Sequence, residues 1–544
     1  MQRSYSPIRS TLLLFVALSL LLVSPAGAQV RFAPEATPTP LTSVLEQGRL
    51  LETEQRWGEA LSHYEDALRE HPGQQALEER LDLTRIHYDL TRRYNDSSFR
   101  QTTTELDAAR ALELYTEVLL KISAHYVVTP QWHEIVGRGI TCLDVALNDP
   151  AFREAHLRGV SNAQLEAFRK ELYQTVGQRP IRSRQEARDT VALVAQLTQQ
   201  RLGVTQAAAA LEFTCGAAGG LDEYSTYLTP DQLGEIYSQI EGNFVGLGVE
   251  LKADDGSLLL VHVISGSPAE QAGLQAGDRI TAVEGEQTSV LSTDQAASRL
   301  QGVEGTTVQI QVVTPGQPAR SLQVRREHVE VPSVEGVRIL DADHGIGYLK
   351  LTSFQKTTTR DLDAALWNLH RQGMRSLIID LRGNPGGLLT TSVEIADKFI
   401  EEGVIVSTRG RSAQEDYNYS AHKAGTWRVP LVVLIDGDSA SASEIFAGAI
   451  RDNQRGTIVG ARSYGKGTVQ GIFPLNTAGA GLRLTTAKFY SPNGRPISNV
   501  GVQPDVVVRH AAKPADRVLS SLPGETDAAL DAALNVARRP LAAR

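Results

Sequence analysis

Apolar positions recur at helical spacing from about residue 44 to residue 240, and the opening of that stretch shows the pattern most plainly. Trp57, Ala60, Leu61, Tyr64, Ala67 and Leu68 fall at i, i+3, i+4 and i+7 before Pro72, which predicts amphipathic helices. The texture changes near Gly242. Short β-rich runs follow, at Leu258–Val263, Arg279–Val283 and Thr307–Val313, separated by glycine turns. From about residue 333 the pattern changes again. Ser376–Asp380 and Leu431–Asp436 are almost unbroken apolar runs, as expected of strands buried on both faces, and each precedes a helical stretch (389–401 and 440–453). The last segment, Thr526 to Arg538, reads as an Ala/Leu-rich helix. A multidomain α+β chain is expected: a helical N-terminal region, a small β-rich module, and a mixed α/β core layered on a sheet.

The N-terminus alters this picture. Arg3 and Arg9 precede an apolar run from Thr11 to Val23, and Ala26-Gly27-Ala28 follows Pro25. A charged start, a short apolar stretch and small residues at a cleavage point predict a secretory signal over 1–28. The run is short for a membrane span of about 20 residues. Export to the periplasm or extracellular space, soluble after cleavage, is therefore expected, with a retained anchor as the alternative. Residues 29–43 are rich in Pro and Thr and read as a linker.

Composition excludes several classes. Of 544 residues, 41% are hydrophobic and 22% charged, ordinary for a core-forming protein. Lys and Arg number 54 against 63 acids, with no long basic run, so nucleic acid is not an expected partner. Two cysteines, Cys142 and Cys215, cannot build a multi-cysteine zinc site, and the twelve histidines show no H-E-x-x-H spacing. No metal and no cofactor are expected. A single bridge between the two cysteines stays open.

Four strings carry candidate chemistry. In Gly242-Asn243-Phe244-Val245-Gly246-Leu247-Gly248-Val249, glycines flanking Leu247 let consecutive N–H groups converge on a carboxylate. With Ser267-Pro268-Ala269 and Ala272-Gly273-Leu274-Gln275-Ala276-Gly277-Asp278 downstream, the module resembles a PDZ domain, which captures C-terminal tails. Asp380-Leu381-Arg382-Gly383-Asn384-Pro385-Gly386-Gly387 is a glycine-rich loop after a buried strand, able to present N–H groups to an oxyanion or simply to turn. Asp436 to Ile445 holds three serines, Ser439, Ser441 and Ser443, at the start of a helix, where free N–H groups favour developing negative charge. Ser441 with Glu444 also fits a plain capping box, and local sequence does not choose among the serines. Gly460 to Gln470 nearly matches a phosphate-binding loop, but Gly467 stands where the metal-binding hydroxyl belongs and a strand follows instead of a helix. What remains is Lys466 between two glycines, with no acid in its own loop, a setting in which a buried lysine loses its proton more easily.

In this order the strings resemble the C-terminal processing peptidases, tail-specific serine proteases with an embedded PDZ domain. The likeness runs from L-D-E-Y-S-T-Y-L (221–228) through L-R-G-N-P-G-G, S-A-S-A-S-E-I and Y-G-K-G-T-V-Q to G-V-Q-P-D ending at Asp505. The resemblance implies Ser441 as nucleophile, Lys466 as general base and Gln470 as the residue orienting the lysine. It implies backbone N–H groups of Gly387 and Ala442 as oxyanion donors, with Gly386 as the alternative to Gly387. Phe244, Gly246, Leu247 and Gly248 would bind the substrate tail. The expected domains are a signal peptide (1–28), a linker (29–43), a helical region (44–240), a PDZ domain (241–331), a serine protease core (332–510) and a C-terminal helical tail (511–544).

The helical region exceeds what the resemblance explains. Its opening, about 44–74, resembles a tetratricopeptide hairpin, and a packed amphipathic hairpin fits equally well. The region could hold an adaptor, form a homo-oligomer or brace the other domains. Expected partners are protein substrates with free apolar C-termini. The rival reading is a catalytically silent PDZ and helical-repeat scaffold that binds C-terminal peptides.

Overall fold

A computed structural model describes residues 40–539 except 178, 255, 291–298, 414–415 and 509–526. The expected signal peptide, most of the linker and the first part of the C-terminal tail lie outside the described residues. The chain divides into two compact units, Met1–Arg85 and Ile86–Arg544.

In the first unit, helices α1 (Leu41–Thr53) and α2 (Trp57–Glu70) pack as a pair, so helix begins just inside the stretch expected as linker. Val44, Leu51, Ala60, Tyr64, Ala67 and Leu77 form its core, the last from the start of α3 (Gln75–Asn95). Glu52 accepts from the Tyr64 hydroxyl at 2.9 Å and pairs with Arg80.

The second unit opens with the remaining helices of the N-terminal region: α4 (Ser97–Glu105), α5 (Ala108–His125), α6 (Trp132–Ala146), α7 (Pro150–His156), α8 (Asn162–Gly177), α9 (Arg184–Leu202) and α10 (Gln206–Gly219). Alanines at 207–210 and 217–218 leave α10 without a polar face, and it is buried among α5, α6 and α9. Its one carboxylate, Glu212, is paired with Arg93 and accepts from the Tyr94 hydroxyl at 3.0 Å. Cys142 and Cys215 are both free thiols. The helical texture is broken at β1 (Thr226–Leu228), which pairs with a strand more than 250 residues later. Thr229 and Gln232 then form a capping box with Pro230 at the first helical position, starting α11 (Pro230–Glu241).

The chain next makes a β-rich module. A ladder of β2 (Asn243–Gly246) with β9 (Glu327–Glu330) closes its two ends. Between them β3 (Val249–Asp254), β4 (Ser257–Val263), β5 (Arg279–Val283), β6 (Glu286–Gln287), β7 (Thr307–Val313) and β8 (Arg320–Arg325) form an antiparallel sheet, with the short helix α12 (Pro268–Gln271). Its core includes Leu247, Leu260, Ile280, Val308 and Ile310.

The C-terminal half is built on a six-stranded sheet. β10 (Val334–Asp341) runs antiparallel to β11 (Ile346–Leu351), and β12 (Ser376–Asp380), β15 (Leu431–Ile435), β16 (Thr457–Gly460) and β19 (Val506–Val507) continue in parallel. Successive residues of β12 and β15 point to opposite faces. Leu377, Ile379, Val433 and Ile435 pack under α13 (Thr358–Arg371), α14 (Leu389–Asp397) and α15 (Ala442–Asp452), whereas Ile378, Val432 and Leu434 meet α16 (Ala528–Arg538). Coverage on both faces is why these strands read as continuous apolar runs. A second sheet holds β13 (Val404–Gly410), β14 (Tyr417–Ser420) and the hairpin β17 (Thr468–Pro474) with β18 (Gly481–Tyr490), and β1 joins it on β18. The helical region grips this hairpin: Val127 N–H donates to Thr485 O at 2.9 Å, and the Glu117 carboxylate accepts from Asn476. Among the described residues no helix is long and apolar enough to cross a membrane.

Candidate active site

Three neighbouring parallel strands, β12, β15 and β16, end at the same edge of the sheet and open into loops 381–388, 436–441 and 461–467. The crevice beyond the carboxyl ends of such strands is where open α/β sheets bind ligands. A cavity of about 520 Å³ lies there, lined by Gly387, Ser441, Ala442, Lys466, Gln470 and Arg483 among others.

Tertiary contacts separate the three serines. The Ser439 hydroxyl donates to Leu381 O at 2.8 Å and the Ser443 hydroxyl to Asn384 O at 3.0 Å, and both residues are 0% exposed. Only Ser441 lines the cavity. Its backbone takes φ 54° and ψ −111°, a conformation that costs a non-glycine residue about 1–3 kcal/mol and places it at the tip of a sharp strand-to-helix turn.

Glu444, one turn into α15, holds this turn. Its carboxylate accepts from Ser441 N–H (2.8 Å), Lys466 N–H (2.9 Å), Gly465 N–H (2.7 Å) and the Ser463 hydroxyl (2.6 Å). Burial pushes its pKa above the ordinary carboxylate range, and these four donors oppose that rise.

Lys466 enters from the loop after β16, and Tyr464 N–H donates to Ser439 O at 3.0 Å, joining this loop to the serine loop. The Lys466 Nζ sits 4.5 Å from the centre of the Tyr224 ring. Burial is the main reason its pKa is lowered, followed by the charge of Arg483, while Glu223, Glu444 and Asp222 pull the other way. The carboxylates that its own loop lacks are thus supplied by other segments. Gln470 shares the cavity, but its carboxamide donates to Thr468 Oγ1 at 2.8 Å rather than to Lys466.

In the glycine-rich loop, Asn384 is fully buried. Its Oδ1 accepts from Gly386 N–H at 2.8 Å and its Nδ2 donates to Leu351 O at 2.8 Å. Gly386 N–H is therefore committed, whereas among the described residues no partner accepts from Gly387 N–H or Ala442 N–H. Gly387 forms a parallel bridge with Phe354 at φ +142°, and a Cβ there would fall 2.2 Å from the Phe354 carbonyl oxygen. Only glycine fits.

The four residues expected to bind a tail stand apart from this cavity, at the start of the β-rich module. Phe244 and Gly246 belong to β2, and Leu247 and Gly248 follow. The Leu247 side chain is 2% exposed and lies in the module's core. Gly248 takes φ +82°, where a Cβ would meet Ser267 at 2.3 Å. Several cavity residues lie outside every string that the sequence offered, Ile236, Ile240 and Arg483 among them. Ile236 and Ile240 come from α11 and Arg483 from β18. Tyr224 and Glu444 lie inside strings that carry the resemblance, the first with no role implied and the second fitting a cap.

Two domain descriptions match this architecture: PDZ domain over residues 261–314 and peptidase family S41 over residues 345–508. Together with the serine turn they define a serine-type peptidase carrying a PDZ domain. The carboxy-terminal-processing protease of Bartonella bacilliformis is 38% identical over 295 residues, spanning 53% of this chain and 67% of that protein. The carboxyl-terminal-processing protease of Synechocystis sp. is 36% identical over 317 residues, spanning 57% and 74%. The chain belongs to this family of carboxyl-terminal processing proteases. Among solved structures, a photosystem II D1 C-terminal processing protease matches 73% of this chain and 93% of its own, at 26% identity and a TM-score of 0.38.

Proposed function

We propose that the protein is an exported endopeptidase that reads the free C-terminus of a protein substrate through its PDZ domain and cleaves by a serine–lysine mechanism. The observation that carries this reading is the gathering, around one cavity, of Ser441, Lys466 and two uncommitted N–H donors. Ser441 Oγ attacks the scissile carbonyl while Lys466 Nζ takes its proton. The oxyanion so formed is held by the N–H groups of Gly387 and Ala442. The ammonium then returns the proton to the leaving amine, and the acyl-enzyme is hydrolysed by water with the same lysine as base. Gln470 orients Lys466 once its carboxamide turns from Thr468. A carboxylate at the tail is received by the 246–248 loop, whose carbonyls at Leu247 and Gly248 are already taken by Ala269 N–H and Ile264 N–H.

Matched substrates test this. An unstructured protein with an apolar tail and a free carboxylate should be cut, and the same protein with an amidated tail should be spared. Equal cleavage of both removes the tail-reading part. Absence of β-casein hydrolysis by wild type and Ser441→Ala alike favours the silent scaffold. N-terminal sequencing of protein recovered from the exported fraction tests removal of residues 1–28.

A further inference from the structure

We propose that Arg483 is a positioning residue for the base, holding a second and permanent cation in the Ser441 cavity so that the Lys466 amine stays free to accept a proton. The inference rests on the reading of Lys466 as base.

The sheet register places the two cations. In the β17–β18 ladder Arg483 stands opposite Ile472, and Thr485 stands opposite Gln470. Alternate residues of a strand share a face, so Arg483, Ile472 and Gln470 point together, and all three line the cavity. Arg483 Nε donates to the backbone carbonyl of Tyr224 at 2.8 Å, and the ring of the same tyrosine carries Lys466 Nζ at 4.5 Å. Thr485 N–H donates to Ser225 Oγ at 3.1 Å, fixing the strand to that segment. One residue thus seats the guanidinium on its main chain and the lysine on its side chain.

The titratable groups around Lys466 come from three places: Arg483 from β18; Asp222, Glu223 and the Tyr224 ring from the segment before β1; and Glu444 from α15. Asp222 is occupied by the N–H groups of Tyr224 and Ser225, and Glu444 by its four donors. Among the described residues no carboxylate bonds the Lys466 amine, and the only charged side chains lining the cavity are Lys466 and Arg483. Two cations in a confined, partly dry space repel, and a guanidinium does not give up its proton in the working range. Lys466 is the one that yields. The lowering of its pKa, with Arg483 the second cause after burial, agrees with this geometry. The Tyr224 ring acts in the opposite sense, since a π face favours the ammonium.

Two measurements test the proposal on the full chain. The first is the pH dependence of kcat/KM for wild type, Arg483→Gln, Arg483→Met and Arg483→Lys. The ascending limb of Arg483→Gln and Arg483→Met should move to higher pH by about one unit, a roughly tenfold loss on the acid side that disappears at alkaline pH. Arg483→Lys, which keeps a charge, should bring the limb back toward wild type. The second is the pH dependence of reductive methylation of Lys466, followed by mass spectrometry in a Ser441→Ala background with and without Arg483→Gln. Its midpoint should rise with the loss of Arg483. A uniform loss of turnover at every pH with an unmoved methylation midpoint would overturn the proposal. Full turnover in Lys466→Ala would instead overturn the base assignment, while the methylation midpoint would still report whether Arg483 governs the lysine.

Discussion

Ser441 and Lys466 donate their backbone N–H groups to the same atom, Oε2 of Glu444, at 2.8 and 2.9 Å. One buried carboxylate therefore sets the separation of the serine turn from the lysine loop. Glu444→Gln replaces two equivalent oxygens by one acceptor and one donor, so at least one N–H loses its partner, at about 1–3 kcal/mol for each orphaned buried donor. We expect Tm to fall by several degrees and kcat to fall by roughly 10- to 100-fold, since small misplacements of reacting groups are that costly. Calorimetry and initial-rate kinetics measure the two effects separately. An unchanged kcat would show that the turn and loop keep their spacing without this carboxylate.

The serine assignment is tested by three alanines. Ser441→Ala should abolish turnover and leave Tm nearly unchanged, because its hydroxyl faces the cavity and alanine keeps the same Cβ at the same strained φ. Ser439→Ala and Ser443→Ala each remove one of two donors to a buried carbonyl, at Leu381 and Asn384, which keep the N–H groups of Asn384 and Ala440, and should cost about 0.5–1.5 kcal/mol of stability while retaining measurable turnover. Thermal melts with casein hydrolysis distinguish the three.

Activity should rise with pH. The folded chain binds the Lys466 proton more weakly than the unfolded chain, whose lysine titrates near 10.4, so the amine form is populated below that value. The sign for stability follows: the cost of the buried ammonium is fully present below the folded pKa and is relieved as pH rises toward the unfolded one. Lys466→Met should therefore be inactive yet more stable than wild type by about 1 kcal/mol at neutral pH, with the gap closing in alkali. Lys466→Arg should bind tails and not cleave, because its charge cannot be lost. Wild-type turnover in Lys466→Arg would place the base elsewhere.

Gly387→Ala drives a methyl group into the Phe354 carbonyl at a φ that disfavours any side chain. We expect at least a 100-fold loss in kcat with little change in tail affinity, measured by turnover beside peptide titration. Gly383→Ala, where nothing lies within 4 Å of the added atom, is the control in the same loop, with strain alone and turnover largely kept.

Much of the layout could be read from the chain because each layer has its own period. Leu377–Ile379 and Leu431–Ile435 are apolar without interruption because helices cover both faces of β12 and β15. The module between Gly242 and Val331 alternates because one face of its sheet is wet. What could not be read depends on pairs far apart in sequence. Three serines in one string look alike until Leu381 and Asn384, more than 50 residues earlier, claim two of them. Glu444 satisfies a capping box locally, and its three further donors come from residues 463–466. β1 is three residues long, so its pairing with Gly481–Arg483 leaves no periodic trace in the surrounding helices. Arg483 resembles any charged residue on a strand until the β17 register turns it toward the cavity.

The β2–β9 ladder brings the entry and exit of the PDZ module side by side, with Asn243 opposite Glu330. Facing residues of an antiparallel pair lie about 5 Å apart, a gap that a two-residue turn can close. The peptidase fold is consequently continuous around its insertion: the segment between Asn243 and Glu330 joins it through a two-stranded ladder, and among the described residues no strand of the main or the second sheet pairs with that segment. Removing the PDZ module would leave a chain that can still close on itself, so the recognition proposed for that module and the cleavage proposed for the cavity are separable parts of one chain.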